Sequence, residues 1–150
     1  MAAILRIVAS FVLLLSGTAV AQQTWAPKDM FNNDKVDFGV IATGSEARKT
    51  VLIENIYAQT VHISNVRTTC GCSAAKPQKF TLAPGETTYV EVTMDTRKFR
   101  RRKDSNLIVE FDRPRSGSVT VPITAYIRTD VVFTPGSVKF GNMEYGQTAK

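Results

Sequence analysis

The chain has 150 residues, 43% of them hydrophobic and 21% charged, and a formal net charge of +6 at pH 7. Six of its cations, Arg97, Lys98, Arg100, Arg101, Arg102 and Lys103, lie within residues 97–103, and the rest of the sequence is close to neutral. Charge concentrated in one loop excludes a dedicated nucleic-acid binder, whose basic residues should line a surface among aromatic or helical readers.

The N-terminus reads as an export signal. Arg6 precedes an apolar run at 7–15, and Ala19-Val20-Ala21 forms an A-x-A cleavage pattern. The run is shorter than the roughly 20 apolar residues a bilayer span needs. Residues 1–21 are therefore expected to be removed, leaving a mature chain from Gln22 with no transmembrane span and an extracytoplasmic location (periplasm, cell envelope or secreted). Residues 22–35 form a lead-in.

Short alternating runs follow, separated by turn residues, and none has a sustained helical period. Val36, Phe38 and Val40 are expected on one face of a first strand, and Val51 and Ile53 on one face of a second. Val61 and Ile63 open a third, with a bulge near Asn65 and Val66. Phe80 and Leu82 mark a short fourth, before an Ala83-Pro84-Gly85-Glu86 turn in which Gly takes the positive φ. Three clear strands close the series: Val90, Val92 and Met94; Leu107, Val109 and Phe111; and Val119, Val121, Ile123, Ala125 and Ile127. Pro122 cannot donate to a ladder and should lie at a bulge or an edge.

Seven half-buried strands predict an all-β fold, an immunoglobulin-like antiparallel sandwich over residues 36–128. Loop parity then brings the turn at 42–47, the cysteine loop at 68–79 and the basic loop at 96–105 to one end. Phe38-Gly39 followed by Gly44 recurs as Phe140-Gly141 followed by Gly146, at a spacing of about one such module. Residues 129–150 accordingly read as the start of a second, truncated module in a tandem array.

Cys70 and Cys72, the two cysteines, flank Gly71 and cannot close a loop of useful length. Three uses are open to them: a structural pair, reduced or bridged; redox or mixed-disulfide chemistry; or half of a copper(I) or zinc site completed by other ligands. The basic run is either a solvated, self-repelling loop or a contact for anionic envelope polymer, lipid headgroups or an acidic partner. His62, the single histidine, has no evident companion base or nucleophile, and phosphate-binding, haem-attachment and calcium-loop patterns are missing. No enzyme activity and no cofactor are expected.

Asp37-Phe38-Gly39, Glu54-Asn55, Cys70-Gly71-Cys72-Ser73 and Leu82-Ala83-Pro84-Gly85-Glu86 occur in that order. Together they resemble the bacterial exported domain-of-unknown-function family 1573, immunoglobulin-like modules related to those of the ciliary protein hydin. The resemblance covers roughly residues 36–127 and implies the fold and an extracytoplasmic setting; it brings no activity. The basic run is not part of the pattern. The expected role is structural, adhesive or protein-interacting, with other proteins or further modules of the same chain as partners.

Overall fold

The computed structural model describes residues 24–132. The export segment and the second Phe-Gly copy lie outside the described residues. A short 3-10 turn, Pro27–Met30, precedes eight strands: β1 (Val36–Thr43), β2 (Ala47–Glu54), β3 (Val61–Thr68), β4 (Ser73–Pro77), β5 (Thr81–Leu82), β6 (Thr87–Met94), β7 (Arg101–Arg113) and β8 (Gly117–Val132). They form a five-stranded sheet, β1-β8-β7-β3-β5, and a three-stranded sheet, β2-β6-β4. The two pack as a sandwich.

The core is what the alternation requires. Val51, Ile53, Val61, Ile63, Leu82, Val90, Val92, Leu107, Val109, Ile123 and Ile127 are all fully buried. Each such side chain contributes about 1.5–3 kcal/mol through burial. The lead-in belongs to the same core: Met30 is 2% exposed, Phe31 bridges to Ile53, and Trp25 packs 4.9 Å from Tyr57 and 6.0 Å from Phe111 between ring centroids.

Several elements differ from the sequence expectation. β4 lies inside the segment read as one long cysteine loop, so the strands among the described residues number eight. β1 joins the end of β8 in parallel, while the other pairings among the described strands are antiparallel. Because β2 belongs to the opposite sheet, no hairpin constrains the direction of β1. Val40 points to solvent, 66% exposed, because the register against β8 shifts between Asp37 and Val40. Gly39 takes φ +65° there, and Asp37 Oδ1 accepts its N–H at 2.9 Å. The Phe-Gly motif is thus a bulge, and a bulge inverts the alternation beyond it. Ile41, not Val40, packs on the core. Phe80 is also exposed (48%), since β5 has only two residues and begins after it.

Other expectations hold. β3 is irregular between Ile63 and Asn65, and Gly85 has φ +72° in a turn closed by Glu86 N donating to Ala83 O at 3.0 Å. Pro122 lies one residue before β1 joins β8 at Val36–Ile123, where β8 is still an edge.

Candidate functional site

Three loops close one end of the sandwich, and hydrogen bonds join them. Gly44 N donates to Thr96 O at 3.3 Å, and Thr96 Oγ1 donates back to Ser45 O at 2.6 Å. Asp95 N donates to Cys72 O at 2.8 Å, tying the β6–β7 loop to the cysteine tip. Thr69 N donates to Asn106 O at 3.0 Å, and Asn106 N to Thr69 Oγ1 at 2.9 Å. The gathering expected from loop parity is present. A shallow cleft of about 280 Å³ opens there, with Ser45, Glu46, Arg48, Asp95 and Arg97 on its walls.

The exposed basic run makes several contacts of its own. Asp95 Oδ1 accepts the backbone N–H groups of Lys98 and Arg97, each at 3.0 Å, and these bonds hold its carboxyl below the usual range. Arg100 is exposed and folds back on its own loop, its Nη1 donating to the carbonyls of Thr96, Arg97 and Phe99. Arg101 takes φ +61°, the left-handed region. Arg102 Nε donates to both oxygens of Asp104, at 3.2 and 2.9 Å, which lowers the carboxyl and raises the guanidinium. Lys103 Nζ lies 5.6 Å from the centre of the Phe99 ring, a cation–π contact. Arg101, Arg102 and Lys103 belong to β7. Arg97 and Lys98, at the tip, are exposed, as are Arg100, Arg101 and Arg102; the Lys98 side chain is 82% exposed, with its Nζ 3.8 Å from Asp95 Oδ2.

Cys70 and Cys72 are joined by a disulfide. Cys72 is fully buried, whereas Cys70 is partly exposed and Gly71 exposed. Thr68 Oγ1 donates to Cys70 O at 3.2 Å and to Ser73 O at 2.7 Å, and Ser73 Oγ donates to Ser105 Oγ at 3.1 Å. The tip therefore caps the core with hydroxyl contacts.

His62 acquires a companion that the sequence did not reveal. Its Nδ1 lies 2.6 Å from Asp112 Oδ1, fifty residues away in sequence, on the pair of strands β3 and β7. The contact holds the Asp112 carboxyl low. Among the described residues no serine, threonine or cysteine bonds the other ring nitrogen. The pair also lies at the end away from the cysteines.

Asn55 emerges as the pin of that far end. Fully buried, it places Nδ2 within 3.0 Å of the carbonyls of Gln59, Leu82 and Ala83, while Oδ1 accepts Tyr57 N at 3.0 Å. Its backbone bonds Gly85 N and Glu86 O, each at 2.9 Å. Glu54-Asn55 and Leu82-Ala83-Pro84-Gly85-Glu86 are therefore one structural unit, not separate motifs. A second shallow cleft, about 380 Å³, lies on the β1–β8–β7 face between Asp37, Val40, Arg102 and Tyr126.

Residues 27–126 match the HYDIN/CFA65/VesB-like Ig-like domain model, and the chain belongs to that family. The match supports the hydin-related resemblance; it does not carry the narrower domain-of-unknown-function 1573 label. No curated protein sequence matches the chain. Among solved structures, a protein of unknown function from Porphyromonas gingivalis is similar at TM-score 0.55 and 16% identity, over 63% of this chain and 44% of the other. The Vibrio cholerae VesB protease is similar at 0.50 and 20%, over 66% and 32%. The Pseudomonas aeruginosa CupB2 chaperone is similar at 0.52 and 12%, over 65% and 55%. The chain thus spans less than half the length of the first two, and these identities establish the fold alone. Among the described residues no helix is long and apolar enough to cross a membrane.

Proposed function

We propose that this chain is a non-enzymatic, exported Ig-like module that acts by protein–protein contact in the cell envelope, through the loop end of its sandwich. The observation that carries this reading is the joining of three loops into one surface by backbone and hydroxyl bonds, with Arg97 and Lys98 turned outward. Such a surface is held in shape before any partner arrives, which lowers the ordering cost of binding. A secreted serine protease of Vibrio cholerae and the periplasmic chaperone SfaE have similar folds, and with the sequence's export pattern at residues 1–21 they support the location. β8 runs out past this end, so a second module after residue 132 would adjoin it.

Site-specific photo-crosslinking in intact cells tests the proposal. A crosslinker at Arg97 should give protein adducts, while one at Pro84, on the opposite end, should give few. Equal yields from both positions, or none from Arg97, would remove the loop end as the contact surface.

The basic residues favour a narrower second reading, contact with anionic envelope polymer or headgroups. Each outward cation near an anionic surface contributes up to about 1 kcal/mol. Coordination of copper(I) or zinc by Cys70 and Cys72 requires the bridge to be reduced first. It also requires ligands from elsewhere, since no group of three His, Cys, Asp or Glu is gathered among the described residues.

A further inference from the structure

A structural disulfide stabilises chiefly by closing a long loop in the unfolded chain. The Cys70–Cys72 bridge encloses one residue, so that benefit is negligible. Its two sulfurs also differ in position. Cys72 is fully buried in the core cluster, whereas Cys70 is only partly covered and lies beside exposed Gly71. A Cβ built at Gly71 would meet no atom within 4 Å, so the outer side of the tip is open to approach. Finally, Cys72 N donates to Cys70 Sγ at 3.0 Å. That dipole stabilises negative charge on the Cys70 sulfur and on no other.

We propose that the Cys70–Cys72 bridge is a thiol–disulfide exchange site for an incoming dithiol, with Cys70 the sulfur attacked and Cys72 the leaving thiolate. The attacking thiolate forms a new S–S bond to Cys70 Sγ. The Cys70–Cys72 bond breaks, and its electron pair leaves on Cys72, which takes up from solvent the proton that the attacking thiol had released. A monothiol gains nothing by this: Cys72, two residues away, expels it and restores the bridge. A dithiol escapes that reversal, because its second thiolate attacks its own sulfur in the mixed disulfide and releases Cys70 as a thiolate beneath the Cys72 N–H. The dithiol ends as its disulfide and the protein as two thiols, so electrons balance. This site does not depend on the interaction surface proposed above, and its loss would leave that reading intact.

Dithiothreitol applied to the folded, bridged protein, followed by alkylation and mass measurement, should reduce the bridge with the β-sheet circular dichroism unchanged. Glutathione at equal thiol concentration should leave it closed. In folded single variants, Cys70 of Cys72→Ala should react with dithiodipyridine at least about 100-fold faster than Cys72 of Cys70→Ala, because a buried thiol must wait for local opening. Should either variant fail to fold, acid-quenched peptide mapping of the wild-type protein after brief glutathione exposure gives the same answer: the transient adduct should be on Cys70. Reduction only upon unfolding, equal or reversed rates, or an adduct on Cys72 would overturn the proposal.

Discussion

Asn55 shows how much of this fold depends on single polar side chains in places where alternation says nothing. It is fully buried, and its amide serves the carbonyls of Gln59, Leu82 and Ala83 as well as the N–H of Tyr57. Asn55→Ala would remove all four of these side-chain bonds, with Ala83 O keeping only its bond from Glu86 N, at a cost of about 2–3 kcal/mol. Urea denaturation should report that loss as a lower midpoint with an unchanged slope. A change below about 0.5 kcal/mol, the level of an ordinary surface substitution, would mean water replaces the amide and the pin is dispensable. Asn55→Asp keeps the acceptor for Tyr57 N but turns an oxygen toward three carbonyls, so it should also destabilise. In sequence, Asn55 was visible only as part of a motif carried by resemblance. Its partners lie 4, 27 and 28 residues away, and no local pattern announces a bond of that length.

At the scale of elements, the sequence was legible wherever a strand alternates over several residues and is buried on one face. β6, β7 and β8 present the faces expected of them because Val90, Val109 and Val121 have no other place to go. It was illegible where the apolar signal is short, small or interrupted. β4 contains Ser73, Ala74, Ala75, Lys76 and Pro77, which offer little to bury, and it borders only β6 in its sheet. Val40 was misplaced because one bulge residue reverses the phase of a strand, and Phe80 because its strand is two residues long. The lead-in has no periodicity at all, yet Met30 is inserted between the sheets' side chains at 2% exposure. Met30→Ala should therefore cost about 2–5 kcal/mol, as for other large core side chains cut to Ala. A thermal melt showing no change would return residues 24–31 to the status of an appendage.

The whole molecule is positively charged, yet its carboxylates are what should set its acid limit. Asp37 is lowered by the Gly39 N–H, Glu86 by Lys79, Asp95 by the Lys98 N–H, Asp104 by Arg102 and Asp112 by His62; Arg128 brings Asp130 down to about 2. These groups are spread over both ends and the β1–β8 face, so no single deletion should abolish the effect. A depressed folded-state value means the unfolded chain binds the proton first as pH falls. The stabilisation is therefore complete above the ordinary carboxylate value of about 4 and is lost as pH drops through the lower folded values. Melting temperature should be flat from neutral pH down to about 5 and decline below about 4, with Asp130 still ionised after its neighbours have been protonated. Because self-repulsion of the growing positive charge would act in the same direction, the scan should be repeated in about 1 M salt, where the Debye length is near 3 Å. The hydrogen-bonded component, led by the backbone donors to Asp37 and Asp95, should survive that screening. A profile that becomes flat in salt would assign the acid sensitivity to net charge alone and deny these carboxylates their part in holding the loop end together.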